Sequence, residues 1–550
     1  MSMYRFACIL SLLTILLLSC TPEAKPDIPN DTHASDKPIT VRGTIYDDGG
    51  NRLSGVVVSD GTRCVKTDAQ GVFELASELE VAKFVFVSIP SGYSVPVKNG
   101  LPIFYRRLSE EKQADGVYIL EFILKKINTN PDRYSMLFVA DPQPRTSNKG
   151  YDNVAYHSLD CCNDLYRDMR ETGASILMDR PCYAMMLGDI VHEDMSLFDR
   201  YIQDGTSRMG FPTFNVIGNH DNKPKATDDV DAASVFEEKF GPSNYSFNIG
   251  KIHYIVVDNM ITGSGMGLRD DIWEWLKSDL SHVDKSTTIM ICSHAPMFMC
   301  DGVENYTSAR NGADYALLLA GYKKVYAWAG HTHAMSHHVY NKDSQLKNIE
   351  AHTLVRATGE LWTNEYQSSG TPRGYVLVDV SGDEVTWKFK PTMYQTKDAV
   401  GATPKYKYRR WDYNHEGVAI MKDDGGILDI SYQMNVYPID TLGGICIYVN
   451  IFMWDQLWGT PVYVSDDDPN HFSLPFEKVV SKSKLDLAQK EIYDFYSVNS
   501  SGIFKDEGKY GWSDASWQRT FRFNTPESRG SGVVKVTDRF GNVFSAKVSW

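Results

Sequence analysis

Five short motifs between residues 141 and 333 constrain this 550-residue chain more than any other feature. They read Asp141-Pro142-Gln143, Gly188-Asp189, Gly218-Asn219-His220-Asp221, Ser293-His294 and Gly330-His331-Thr332-His333. Each carries oxygen or nitrogen side chains of the kind that bind divalent metals, and most follow an apolar, strand-like run. In α/β sheets, ligands collect at the carboxyl ends of strands. Residues of this type at strand ends therefore predict a two-metal site assembled on loops along one edge of a sheet.

The segments between the motifs alternate strands and helices over residues 130–395. Apolar runs predict strands at Tyr134–Ala140, Cys182–Leu187, Phe214–Ile217, Thr288–Cys292 and Lys324–Ala329, each leading into a motif. A hairpin is expected from Tyr245–Ile249 and Ile252–Asp258, turning at Gly250-Lys251. A further β-pair, Gly374–Val380 and Glu384–Lys390, turns at Ser381-Gly382-Asp383. Helical spacing covers Ala155 to Thr172 and Asp270–Leu280, the latter with Trp273 and Leu276 on one face.

The flanks read differently. Residues 38–127 show strand-sized runs broken by Asp-Gly, Gly-Gly and Gln-Gly turns and predict a small all-β domain. Residues 400–550 are rich in Gly, aromatic and alternating apolar positions and predict a second β-rich domain. Neither flank holds a ligand cluster. At the N-terminus, Arg5 precedes an apolar run from Phe6 to Leu18 that ends in Leu17-Leu18-Ser19-Cys20. That run is shorter than the roughly 20 apolar residues needed to span a bilayer. It resembles a bacterial lipoprotein signal covering residues 1–20. Cleavage before Cys20 would leave that residue as the lipid anchor, with residues 21–37 as a polar, Pro-rich tether. This implies an exported protein of the bacterial cell envelope, held on a membrane and facing the periplasm or the surface.

The net charge of −14 argues against a nucleic-acid-binding surface, and a monomer is expected. Nine cysteines at irregular spacing do not read as a disulfide framework. The adjacent Cys161 and Cys162 read as buried small residues of a helix.

Singly, each motif is ordinary: an Asp before Pro is a common turn former, and Ser-His after a strand is more often structural. Together and in this order, they resemble the calcineurin-like metallophosphoesterase family, and the resemblance extends over about half the chain. A small N-terminal β domain and a C-terminal β domain frame the catalytic unit in one bacterial branch of that family. The N-terminal segment is itself similar to the Ig-like or prealbumin-like domains of the carboxypeptidase regulatory type. The fold implied is α/β: a central four-layer α/β/β/α sandwich with two mixed sheets, flanked by the two β domains.

The activity implied is hydrolysis of phosphate mono- or diesters with two divalent metals, such as Mn, Fe or Zn, as cofactors. In the family pattern Asp141 holds the first metal, with His333 returning to it. Asp189 bridges both metals, and Asn219, His294 and His331 hold the second. Two metals about 3.5–4 Å apart clamp a phosphate and acidify a bridging water, whose hydroxide attacks phosphorus in line. His220 is then the general acid for the leaving oxygen.

The chain departs from the pattern twice. Much of the family has Asp-x-His as its first motif, and here Gln143, a neutral amide ligand, takes the histidine position. Some relatives have an aspartate three residues after the bridging Asp to orient the acid. Here that position is His192, with Glu193, Asp194 and Asp221 as neighbouring candidates. Arg145 and Asn222, beside ligands, and Trp362, in a Gly-rich aromatic loop, are candidates for touching substrate. His337 and His338 are expected to face solvent, and His157 and His253 to be ordinary helix or strand residues. Two rivals share the composition. One is a surface-binding lipoprotein with a degenerate site on the same fold. The other is a carbohydrate-active lipoprotein, which would need a carboxylate pair facing a sugar cleft that no motif here supplies.

Overall fold

The computed structural model describes residues 37–146, 154–262, 265–300, 302–359 and 371–392, and shorter stretches between 394 and 549. The lipoprotein signal with Cys20, residues 21–36 of the tether, and Trp362 lie outside the described residues. Among the described residues, no helix is long and apolar enough to cross a membrane.

Two mixed sheets form the centre. The first has the order Thr213–Val216, Cys182–Leu187, Arg133–Val139, Gly374–Ser381, Glu384–Pro391. The second runs Tyr245–Ile249, Ile252–Val257, Thr288–Ser293, Lys324–Ala329, Ile349–Thr353, Ser336–Val339. Side chains on a strand alternate between its two faces. In Arg133–Val139, Tyr134, Met136 and Phe138 point into the core shared with the second sheet, while Leu137 and Val139 point the other way. On that outer face they meet Cys162, Leu165 and Met169, spaced at three to four residues along the helix Val154–Leu177. The second sheet packs its own outer face on helices Asp270–Ser281 and Gly312–Ala320, through Ile272, Trp275, Leu276, Tyr315 and Leu319. The result is the α/β/β/α sandwich that the motif order implies. The two sheets touch through aromatic rings: Phe138 stacks on Trp328 at 4.6 Å and Phe214 on Phe247 at 3.9 Å.

Strands Arg133–Val139, Cys182–Leu187 and Thr213–Val216 are mutually parallel, as are Ile252–Val257, Thr288–Ser293, Lys324–Ala329 and Ile349–Thr353. Their carboxyl ends therefore lie on one edge. A parallel bridge between Ala140 and Arg356 joins the ends of the two sheets there.

The N-terminal β domain pairs a five-stranded sheet, containing Val41–Asp47 and Val117–Lys126, with a four-stranded one containing Val57–Ser59 and Phe84–Val87. It is locked to the centre by a buried chain: Ser246 Oγ donates to Asp279 Oδ1 at 2.6 Å, lies 2.9 Å from Ser88 Oγ, and His253 Nε2 meets Asp279 Oδ2 at 2.8 Å. The described part of the C-terminal region holds two four-stranded sheets. It docks through Arg539, which grips the buried Glu350 with bonds of 2.6 and 2.9 Å.

Strands Ser336–Val339 and Ile349–Thr353 correct one expectation. His337 does not face solvent. It is buried, and its Nδ1 lies 2.9 Å from Nδ1 of His352 on the neighbouring strand. His338 is half-buried, 3.2 Å from Gln456 of the C-terminal region.

Candidate metal centre

The five motifs converge on that one edge. Backbone conformation accounts for much of this. Asp141, Gln143, Asp189, His331 and His333 all adopt positive φ, between 45° and 69°. L-residues with side chains enter this region rarely and at a cost of order 1–3 kcal/mol, so the surrounding structure must hold them there. The left-handed kink turns each chain sharply as it leaves its strand and aims the side chain inward. Two glycines allow the turns to close. A Cβ at Gly218 would stand 2.2 Å from the Asp189 backbone nitrogen, and one at Gly330 would stand 2.3 Å from Asp141 Oδ2.

One group of atoms forms a tight triangle. Asn219 Oδ1 lies 3.1 Å from His294 Nε2 and 2.9 Å from His331 Nδ1, and the two ring nitrogens are 3.2 Å apart. Asp189 Oδ1 is 3.3 Å from the same His294 nitrogen. Ligand atoms bound to one metal at about 2.0–2.2 Å lie roughly 3 Å from each other, so this is the spacing of a coordination shell. The other nitrogen of His294, Nδ1, contacts the Leu187 carbonyl at 2.8 Å. As an N–H it would donate there, which leaves Nε2 as the ligand atom.

A second group adjoins the first. Asp141, Asp189 and His333 each place a ligand atom within 4.8 Å of the others. Asp141 Oδ1 is 3.5 Å from His333 Nε2, and the Asp141 carboxylate also accepts from the His331 backbone at 3.0 Å. Gln143 is fully buried. Its Nε2 donates to Asp189 Oδ2 at 2.5 Å, while its Oε1 is buried with no protein partner. A buried amide oxygen without a partner is costly, and a cation would satisfy it. The residues present thus fit a pair of divalent ions.

Charge in the site is finely balanced. Burial alone would raise the Asp189 carboxyl, but the His294 charge and hydrogen bond override this and hold it well below the usual carboxylate range. Burial opposes a proton on His294, yet Asp189, with Asp141 behind it, pushes its pKa upward. Ligand nitrogens give up their protons to bind a metal, so a cation held at this position would compete with a proton on His294. His331 goes the other way, down to about 4, through burial and the neighbouring His294 charge.

His220 stands at the rim, on the short 3-10 turn Asn219–Asp221. Of the neighbours that might orient it, Glu193 faces its Nδ1 at 3.3 Å. The His192 ring stacks on it at 4.2 Å. Burial, with the charges of His220, Arg356 and Arg145, pulls His192 down to about 3. Asp221 is turned away and fully buried, bracing the loop by accepting from the backbones of Val191 and Gly218 at 3.0 and 2.9 Å. Asp194 accepts from Ser196 and Thr146. Asn222 is half-buried just beyond the turn, and Arg145 follows the first motif with its backbone on Ser158.

Sequence reasoning missed three contributors. Arg356 is buried and places Nη2 3.0 Å from both ring nitrogens of His333. Thr358 donates to the Pro142 carbonyl at 3.0 Å and pins the first motif. Asn259 clamps Ala295, next to His294, through bonds of 2.7 and 3.1 Å. Asn259 directly follows the predicted hairpin, and its place at a strand end was the available signal.

This fold and this convergence define a metallophosphoesterase-type domain. A family model described as calcineurin-like phosphoesterase matches residues 135–335, and models for the N-terminal and C-terminal parts of the same family match residues 39–126 and 351–544. The chain belongs to the calcineurin-like phosphoesterase family. It is similar to purple acid phosphatase 23 of Arabidopsis thaliana, at 26% identity over 155 residues, which is 26% of this chain and 32% of that protein. Purple acid phosphatase 15 of the same plant is 30% identical over 154 residues, covering 26% and 28%. The chain thus spans about a third of the length of these curated relatives. Among solved structures, a dimetal phosphatase from Danio rerio aligns over 47% of this chain and 96% of its own, with TM-score 0.31 and 14% identity. A purple acid phosphatase from yellow lupin (Lupinus luteus) seeds aligns over 65% and 67%, with TM-score 0.36 and 12% identity.

Proposed function

We propose that this chain hydrolyses phosphate mono- or diesters at a two-metal centre. The observation that carries the reading is the packed set Asp189, Asn219, His294 and His331 lying against Asp141, Gln143 and His333. In this reading Asp141, Gln143 and His333 hold the first metal, Asp189 bridges, and Asn219, His294 and His331 hold the second. Two divalent ions bound there supply charge neutralisation for the phosphate and an acidified water as nucleophile.

The chain's own residues do the rest. His220 at the rim gives a proton to the leaving oxygen, and Glu193 keeps its ring turned for that transfer. Asp221 holds the turn that carries both Asn219 and His220. Arg145 and Asn222, beside the motifs in sequence, and Trp362, in the Gly-rich aromatic loop, are the candidates for touching substrate oxygens. The protein acts as a monomer on the bacterial cell envelope, anchored by lipid at Cys20, and has no nucleic-acid partner.

A second reading, a surface-binding protein with a weak site, draws on Gln143, which replaces an imidazole by a neutral amide. Metal analysis separates the two. The purified protein is expected to carry Mn, Fe or Zn and to cleave an aryl phosphate or a bis-aryl phosphate, with loss of activity on chelation. A protein that holds no transition metal and leaves both esters intact with added manganese contradicts the reading.

A further inference from the structure

The segment that follows Asp189 closes on His220 from several sides. The His220 nitrogen donates to Asp189 Oδ1 at 2.9 Å, and the Val191 nitrogen donates to Asp221 Oδ1 at 3.0 Å. The Glu193 nitrogen then donates to the His220 carbonyl at 3.0 Å. Residues 189–193 are thus laced to the turn Asn219–Asp221, with Ile190 and Val191 buried in the core.

Two adjacent side chains of this segment reach the same ring. The His192 ring lies against that of His220, with centroids 4.2 Å apart and planes 26° from parallel, and Glu193 Oε1 stands 3.3 Å from His220 Nδ1. Neighbouring side chains of an extended chain point to opposite sides, so this convergence needs a turn. Glu193 supplies it, at a φ of 58°. Residues with side chains enter that region uncommonly, and such outliers cluster at functional sites. His192 is fixed from another direction as well: its nitrogen donates to the Pro144 carbonyl at 3.0 Å, just after the first motif.

The two contacts do different things. A stacked ring sets the plane of the imidazole. A carboxylate at Nδ1 sets its rotation within that plane and leaves Nε2 for the leaving oxygen. The Glu193 side chain is 65% exposed, and a solvated charge contact holds geometry weakly. The His192 ring is half-buried and its backbone is tied down, so the plane is the better fixed of the two.

Resting on the hydrolytic reading above, we propose that His192 is a positioning residue for the general acid: its ring face holds the His220 imidazole in the plane from which Nε2 gives its proton to the oxygen leaving phosphorus. The face of the ring does this and its nitrogens take no part, so another flat ring of similar size serves as well.

The test compares an alkyl phosphate, whose leaving oxygen needs a proton, with a nitrophenyl phosphate, whose leaving oxygen does not. Turnover of both is measured for manganese-loaded wild type, His192→Ala, His192→Phe, His220→Ala and the double variant His192→Ala/His220→Ala. The ratio of the two rates is taken within one preparation, so unfolded or metal-poor protein cancels. A ring–ring contact shifts an equilibrium by roughly two- to tenfold. His192→Ala should lower the alkyl-to-nitrophenyl ratio by that factor, and His192→Phe should hold it near wild type. In the His220→Ala background, His192→Ala should lower it no further. Should His192→Ala not fold, His192→Asn, polar but without a ring, takes its place. A second readout needs no metal: in the metal-stripped chain with isotope-labelled histidine, the His220 ring resonances should move on His192→Ala.

An unchanged ratio in His192→Ala overturns the proposal. So does a His192→Phe variant that falls as far as His192→Ala, an additive double variant, or His220 resonances that stay in place. Failure of the underlying reading looks different. Wild type that cleaves neither ester removes the hydrolytic reading, and equal losses on both esters in His220→Ala remove the acid role; the proposal falls with either. Failure of the positioning role alone leaves the selective loss in His220→Ala intact.

Discussion

His220 is the residue on which the chemistry and the acid's surroundings meet. Its backbone nitrogen donates to Asp189 Oδ1 at 2.9 Å, its ring is stacked on His192, and its Nδ1 faces Glu193. A positioned acid is worth about 10²–10⁴-fold, and more when the leaving group is poor. His220→Ala is therefore expected to cut turnover of an alkyl phosphate within that range and that of a nitrophenyl phosphate far less, with metal content unchanged. Equal losses on both esters would remove the acid role. At this scale the residues that converge on the sheet edge were readable in the sequence, because Asp, Asn and His after apolar runs have few other uses in such numbers. Arg356 was not readable. It comes three residues after Ile349–Thr353, a strand whose Glu350 and His352 break the apolar pattern. Glu350 is buried against Arg539, about 190 residues later, and Lys324, and His352 against His337, and no local signal reports those partners.

The elements work as strand-and-kink units. Each apolar strand fixes a direction, and in four of the five motifs the residue or two after it turns under positive φ or beside a glycine, Ser293-His294 having neither. The strands themselves were legible: Cys182–Leu187 and Lys324–Ala329 fall where the apolar runs place them, and the hairpin turns at Gly250 as expected. The helix Val154–Leu177 extends five residues past the expected Thr172, since Ile176 continues the buried stripe. Gly218 isolates the cost of a close approach. Its φ is −110°, which any residue can adopt, so Gly218→Ala introduces only the clash with Asp189. Overpacking of this kind costs about 1–3 kcal/mol. The variant should melt lower and retain less metal than wild type after dialysis. A variant with full metal content would show that the loop has slack.

For the whole molecule, three folded parts act as one support for the edge where the motifs meet. The N-terminal domain is keyed in through Ser88, which meets the buried chain Ser246, Asp279 and His253. The C-terminal region ends a chain of contacts that starts at the centre: Trp328 stacks on His352 at 4.3 Å, Trp387 meets Phe540 at 4.9 Å, and Arg539 binds both Glu350 and Asp455. Leaving a buried carboxylate without its partner costs about 3–5 kcal/mol, and Lys324 softens that here. Arg539→Ala should therefore lower the urea midpoint by the equivalent of about 3 kcal/mol, and an unchanged midpoint would mean that the docking is not structural. Asp189 is the carboxylate that both groups of converging side chains share, and the two-metal centre stands or falls with it. The direct test is the rate of aryl phosphate cleavage by manganese-loaded Asp189→Asn against wild type. A bridging ligand worth several kcal/mol predicts a loss of roughly a hundredfold or more, together with loss of bound metal, and a variant that cleaves the ester at the wild-type rate would contradict it.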